Sequence, residues 1–337
     1  MIFLKDLLLR LHALLQRFPW VMPLYGFVSG LASFFLVKRQ AEFAKVIAIL
    51  MLVTWLWLAL ENLLSQQLAR RFGLQIPPWL LRFATQMVHQ QSLFFVLPFF
   101  ALTTAWDSGQ LVFTGLLGLC ALIAIIDPLY FNWLAPRRWL YLAFHSLTLF
   151  AVLLTALPII LHQTTAQSYL WALLASVLLS FPSLLGTLKI NRWWRWLALP
   201  GLSLALLGVG WLARPWVPPA TLWLSEVVVS AQMNAGQRAP GQAREQLSSA
   251  QLKQQGLYAY TAINAPRGLT ERIYHVWRHN GKEVDRIALD IQGGTKAGYR
   301  AWSHKQNFPA EPGGKWRVDV ITDGGQTLGV LRFRVDP

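Results

Sequence analysis

The feature that most constrains this chain is a change of character at Trp216. The stretch Leu197 to Trp216, LALPGLSLALLGVGWLARPW, closes a series of apolar segments, and the residues after it alternate polar and apolar side chains. A period near 3.6 marks a helix with one buried face and a period of two marks a strand, so the two sides of Trp216 belong to different kinds of core. Charge changes at the same point. Residues 1–216 hold five acids (Asp6, Glu42, Glu61, Asp107, Asp127) and half of the 30 Lys and Arg, whereas the remainder holds ten acids and fifteen bases. Charged residues make up 13% of the whole and hydrophobic residues 55%. A soluble protein carries about 25% charged residues, so the composition reads as two domains, the first in contact with lipid.

Seven segments approach the roughly 20 apolar residues that a bilayer core requires; they lie at about 20–37, 43–64, 91–106, 111–135, 139–161, 169–186 and 197–215. Residues 1–19 precede them as an amphipathic helix, with Leu4, Leu7, Leu8, Leu11, Leu14, Leu15 and Phe18 on one face. Such a helix lies on a bilayer surface or packs on the protein's own loops. A second amphipathic stretch, residues 76–91, sets Arg82, Thr85, Gln86 and His89 against Leu80, Leu81, Phe83 and Met87 and is expected to lie along the same surface. The loops, taken alternately, place eleven Lys and Arg on the N-terminal side and four on the other. Cations collect on the cytoplasmic side. The expectation is therefore a multi-pass protein of a bacterial inner membrane, N-terminus in the cytoplasm and C-terminal domain in the periplasm. The first apolar run ends in Lys38-Arg39-Gln40 instead of a small-residue cleavage site and reads as a retained anchor.

Beyond Val217-Pro218-Pro219, strands are expected near 224–233, 257–263, 271–279, 283–292, 299–306, 315–322 and 328–335, with hairpin signals at Asn280-Gly281 and Asp323-Gly324. The polar stretch 234–255 reads as an irregular or partly helical crossover. The expected fold class is thus a polytopic α-helical membrane domain of about seven spans over residues 20–216, plus a small all-β, Ig-like antiparallel sandwich over residues 217–337.

The set His275-x-Trp277 with Asn280-Gly281, then Trp302-Ser303-His304-Lys305, then Pro312-Gly313-Gly314-Lys315-Trp316-Arg317-Val318-x-Val320, closed by a Gly-rich turn with Leu328 and Phe333, resembles a proteobacterial inner-membrane protein family of unassigned function. The match covers roughly the last third of the chain. It implies a multi-helix membrane region followed by an extracytoplasmic β domain, and it supplies no activity.

Chemistry is sparse. The single cysteine, Cys120, allows no intrachain disulfide, and no disulfide-linked partner is expected. The net charge of +15 flanks apolar segments without forming a stripe, so nucleic acid is not an expected partner. No Cys/His set has metal spacing, no phosphate loop is present, and neither cofactor nor metal is expected. Ser303-His304 has no acid placed to orient the histidine.

Ionisable groups inside a bilayer are expensive and mark function by default, which singles out Glu61, Asp127 and His145, with Asn62, His89, Gln90 and Gln91 at similar depth. They could relay protons, hold a cation or bind a lipid head group, or sit hydrated at the interface with Arg137 or Arg138 beside a carboxylate. A contact between Asp127 and His145 is the sharp form of the first idea. In the β domain His275, Trp302, His304 and Lys305 form a candidate binding face for a sugar or peptide, or else belong to the sandwich core. Two functions follow. One is a membrane anchor that presents a β module to an envelope protein or glycan; the other is an intramembrane transporter or lipid- or envelope-modifying enzyme built on Glu61, Asp127 and His145.

Overall fold

A computed structural model describes residues 17–18, 21–39, 45–56, 58, 78–187, 192–234, 236–293 and 298–336. The proposed helix over 1–19, apart from Arg17 and Phe18, and Glu61 lie outside the described residues. The helical half contains α1 (Val21–Arg39), α2 (Lys45–Leu56), α3 (Pro78–Thr103), α4 (Gln110–Ile125), a π-helical turn (Pro128–Leu134), α5 (Arg138–Leu161), α6 (Thr165–Thr187) and α7 (Arg192–Leu212).

The expectation of about seven spans fails. Among the described residues one helix, α5, is long and apolar enough to cross a bilayer, and a second exists only if α4 and the π-helical turn, bent by 100° to each other, count as one. For α3 and α4 the reason is local. Helix α3 carries Gln86, His89, Gln90, Gln91 and Ser92 through its middle. The apolar run of α4 stops ahead of Asp127-Pro128. Within the described residues the apolar parts of α2, α6 and α7 span Lys45–Leu56, Thr165–Ser180 and Leu197–Leu212, fewer than the roughly 20 residues needed, and the rest of the span expected at 43–64, apart from residue 58, lies outside the described residues. The segment 76–91 is likewise no separate surface helix. From Pro78 onward it is the first half of α3, which runs unbroken through Pro98 to Thr103.

Packing inside the helical half is dense where small residues allow it. Gly30 of α1 sits so close to α3 that an added Cβ would lie 2.5 Å from the Phe94 Cβ and 2.8 Å from its backbone carbon. Overpacking of this kind typically costs about 1–3 kcal/mol, and here the obstacle is partly backbone. Gly30→Ala is therefore expected to lower the thermal unfolding midpoint of the purified chain; an unchanged midpoint would mean that α1 is not seated on α3 in this way.

Among the described residues the β half holds ten strands: β1 (Trp223–Ser230), β2 (Met233–Asn234), β3 (Ala239–Pro240), β4 (Gln246–Ser248), β5 (Leu257–Asn264), β6 (Thr270–His279), β7 (Lys282–Gln292), β8 (Tyr299–Lys305), β9 (Gly314–Thr322) and β10 (Thr327–Asp336). One sheet has the order β4-β10-β9-β6-β7, a second β1-β5-β8, and β2-β3 is a small ribbon. All pairings are antiparallel except β4 with β10, which is parallel, so the region is not the wholly antiparallel sandwich expected. The two larger sheets bury one core, with Ile273 and Trp277 from β6 and Val318 and Val320 from β9 against Leu257, Ala259 and Ile263 from β5. Asn280 and Gly281 have φ of 48° and 85°, the positive pair that a tight hairpin requires and that a Gly in second place tolerates best. The second hairpin is longer than Asp323-Gly324 alone, since β9 ends at Thr322 and β10 resumes at Thr327. Within 234–255 the crossover contains a helix, α8 (Ser249–Gln255), started by a capping box between Ser248 and Gln251.

The β half is docked on the ends of the helices. Gln110 Nε2 donates to the Thr327 carbonyl at 2.8 Å, Gln326 Nε2 donates to the Val217 carbonyl at 2.9 Å, and the Thr165 amide donates to Glu271 Oε2 at 2.6 Å. Asp107 pairs with Arg332. These contacts involve the α3–α4 turn, the α5–α6 turn and the exit from α7. Arg82, at the start of α3, and Arg137 and Arg138, at the start of α5, lie at the opposite helix ends.

Candidate functional site

The break between α4 and the π-helical turn organises the site. Pro128 has no amide hydrogen to give to the Ala124 carbonyl four residues earlier, which leaves a buried acceptor open. Two glutamines of α3 take its place: Gln86 Nε2 donates to the Ala124 oxygen at 3.1 Å and Gln90 Nε2 at 2.7 Å. Gln86 Nε2 also donates to Asp127 Oδ1 at 2.7 Å. The polar face of α3 is thus turned inward, towards the broken helix.

His89 lies on that face, fully buried. Its Nδ1 is 2.7 Å from Tyr130 Oη, its Nε2 is 3.0 Å from His145 Nδ1, and Tyr130 Oη is 3.5 Å from Tyr141 Oη. A neutral imidazole has one donor and one acceptor nitrogen, so two hydrogen arrangements satisfy this row. In one, Tyr130 donates to His89 and His89 donates to His145; in the other, His145 donates to His89 and His89 donates to Tyr130. Exchange between them moves a proton along the row without moving a heavy atom. Aromatic rings enclose the pair: Trp55 lies 4.8 Å from the His145 ring and Phe144 lies 5.1 Å from the His89 ring, between centroids. Trp55 is held in turn by its Nε1 donating to Ser92 Oγ at 2.9 Å.

The tyrosine end of the row opens on a cavity of about 480 Å³ lined by Arg82, Thr85, Tyr130, Phe131 and Tyr141. It brings a cation and three hydroxyls together beside two histidines. The cation, hydroxyls and imidazoles gathered here can exchange protons and recognise an anion.

Asp127 and His145 are brought to the same face of α3 but not to each other. Asp127 is exposed and bonded by Gln86, and His145 is bonded by His89 one turn further along. Sequence reasoning assigned no role to Tyr130, Tyr141 or Trp55. Its available signal was the i, i+3, i+4 spacing of Gln86, His89 and Gln90 opposite Pro128.

The candidate face of the β domain divides in two. His275 is fully buried and ties the two sheets together: its Nε2 lies 3.2 Å from Thr261 Oγ1 and its Nδ1 2.9 Å from Ser303 Oγ. Thr261 gives its own hydrogen to the Ala301 carbonyl, and Trp277 Nε1 donates to Ser303 Oγ at 3.2 Å. A neutral His275 protonated on Nε2 closes this network, and burial pushes its pKa down to about 3. Lys305 is also buried, its Nζ 2.9 Å from Asp285 Oδ2. Neither side chain is presented to a ligand. Trp302 and His304 point the other way on β8, with His304 stacked on Tyr258 at 3.9 Å and 3° between planes.

A family model described as a family of unknown function (DUF5924) matches residues 1–259, and one described as a protein of unknown function (DUF2914) matches residues 270–335. No curated protein and no solved structure matches.

Proposed function

The chain belongs to the family of unknown function DUF5924, and we propose that it is a membrane protein whose helical half houses a proton relay serving a small anionic ligand. Membrane contact is supported by the surface. Among the described residues every large apolar side chain that is exposed lies at or before Trp216, except Val227 and Val284, and the exposed set includes Leu204 at 67% and Leu212 at 79%. A soluble protein rarely leaves so many large apolar side chains of one half exposed to water. The proposed location is a bacterial inner membrane, with the cationic helix ends at Arg82, Arg137 and Arg138 in the cytoplasm and the docked β domain outside, in the periplasm.

The observation that carries the functional reading is the row Tyr141–Tyr130–His89–His145 running from the Arg82 cavity into the helical core. A weak acid bound against Arg82 passes its proton to Tyr130 as the Tyr130 proton moves to His89 Nδ1 and the His89 Nε2 proton moves to His145 Nδ1. The ligand is left as an anion beside the guanidinium, and His145 carries the charge. The β domain is then a fixed cap on the far helix ends. A second reading, the β domain as a contact module for an envelope protein or glycan, is favoured by the flat Tyr258–His304 stack beside Trp302.

The test is the full chain in proteoliposomes that enclose a pH-sensitive dye. Addition of inorganic phosphate or a non-permeant carboxylate is expected to shift the internal pH. His89→Phe and Tyr130→Phe are expected to reduce the shift to that of protein-free vesicles, and Arg82→Gln to raise the half-saturating anion concentration. Equal traces from the wild type, both relay variants and empty vesicles would overturn the relay.

A further inference from the structure

We propose that the crevice between α5, α6 and α7 is a binding site for an anionic phospholipid, with one acyl tail in the crevice and the head group at Arg214. The site is separate from the histidine row and rests on the membrane placement above, not on the relay.

The crevice is a cavity of about 340 Å³ whose walls are almost entirely hydrocarbon, including Leu142, Phe150, Leu173, Val177 and Leu206. Its lining along α7 and its exit runs from Leu202 to Ala213, next to Arg214, about 16 Å at 1.5 Å per residue. That length is close to the ~15 Å depth of one leaflet of hydrocarbon. Most of its polar groups are already occupied: Ser146 and Ser180 bond each other at 2.6 Å, Ser180 also donates to the Ser176 carbonyl, and Tyr169 Oη donates to the Gly210 carbonyl at 2.5 Å. A crevice with satisfied walls recognises shape and apolar surface.

Two features assign a polar end to the occupant. Ser176 is 4% exposed and lines the crevice, yet its Oγ has no hydrogen-bond partner. At the end of the crevice marked by Ala213 and Val217 stands Arg214, whose Nε is buried and likewise without a partner. Its guanidinium is held over the Trp211 ring, 4.3 Å from the centroid, and an added Cβ at Gly325 of the β9–β10 turn would lie 3.8 Å from its Nη2. A guanidinium with an open nitrogen, fixed on an aromatic face beside the mouth of an apolar crevice, complements a phosphate joined to an acyl tail. A zwitterionic lipid satisfies the crevice equally well but offers Arg214 a neutral head group.

Native mass spectrometry of the full chain in non-ionic detergent tests this by titration with phosphatidylglycerol and with phosphatidylcholine of identical acyl chains. The wild type is expected to bind phosphatidylglycerol about tenfold more tightly, the effect of one charge-assisted hydrogen bond. Arg214→Gln is expected to bring that ratio to about one. Val177→Trp fills the crevice and is expected to weaken both lipids; Leu206→Trp fills it from α7 and serves where Val177→Trp does not fold. Equal wild-type affinities, or unchanged affinities in the filled variants, overturn the site. Failure of the wild type to float with vesicles would instead remove the membrane placement, an outcome read independently of the detergent titration.

Discussion

Trp277→Ala is expected to unfold the β half under conditions in which the wild type is folded. Trp277 is fully buried on β6 of the five-stranded sheet, its ring 6.2 Å from Phe333 and 6.4 Å from Phe308 between centroids. Truncating such a side chain removes its transfer free energy and leaves a cavity, together about 3–5 kcal/mol. A second loss adds to the first. Trp277 Nε1 donates to the same Ser303 oxygen that bonds His275, so alanine leaves that hydroxyl one donor short inside a dry core. The expected result is a β transition, followed by far-ultraviolet circular dichroism of the intact chain, lowered by on the order of 10 °C. Trp277→Phe keeps most of the volume and loses the Nε1 bond, so it should fall between the two. A midpoint within a degree or two of the wild type for Trp277→Ala would mean that the β core is not organised around this ring.

How much of this was legible in the sequence differs between the halves for a physical reason. A strand in a two-sheet core shows a period of two in its side chains, and all seven expected strands begin within one residue of an observed one. Their pairing was not legible, because the parallel β4–β10 contact joins a three-residue strand, Gln246–Ser248, that has no periodicity to display. In the helical half, counting apolar residues cannot separate a helix that faces lipid from one that faces its neighbours. Helix α5 meets the length criterion, although 67% of its apolar window is buried inside the protein. Helix α4 has the apolar run but not the length, because Pro128 bends the chain away.

The candidate site shows the same division. Gln86 and His89 were visible as one polar helix face, and the error lay in its direction. A polar face on an isolated amphipathic helix seeks water, but here Pro128 strips the Ala124 carbonyl of its natural donor, and Gln86 and Gln90 satisfy it more cheaply than water could. Once those glutamines are fixed, His89 has no solvent-facing position on the same face, and its two nitrogens meet Tyr130 and His145. Asp127 bonds Gln86 and not His145, the partner that the sequence suggested. In the β domain the alternation that located β8 also determined that Ser303 and Lys305 share the inward side while Trp302 and His304 share the outward one. The four residues grouped there by motif were therefore divided by the pleat itself.

The joint between the halves should respond to pH through Glu271. This carboxyl is buried where β6 begins, accepts the Thr165 amide at the first turn of α6, and lies near Asp323. Burial is the main cause that raises its pKa to about 7 from the ordinary 4.5, the Asp323 charge adds to the rise, and the hydrogen bonds from Thr165 oppose it. An acid whose pKa is higher in the folded protein than in the unfolded chain binds protons more tightly when folded. Its effect therefore favours folding at low pH, fades as pH rises from 4.5 towards 7, and above 7 becomes a constant penalty of about 3 kcal/mol for holding a charge in the joint. Glu271→Gln keeps an oxygen for the Thr165 amide and never ionises. At pH 4 the variant and the wild type should unfold at nearly the same midpoint, and at pH 8 the variant should be the more stable by up to about 3 kcal/mol. Hydrogen exchange at the Thr165 amide reads the joint directly: in the wild type its protection should drop between pH 5 and pH 8, after correction for the intrinsic rate, and in Glu271→Gln it should not. A pH-independent difference between the two proteins would mean that Glu271 remains ionised throughout and that the carboxylate, held by the start of α6, is the stable form of the joint.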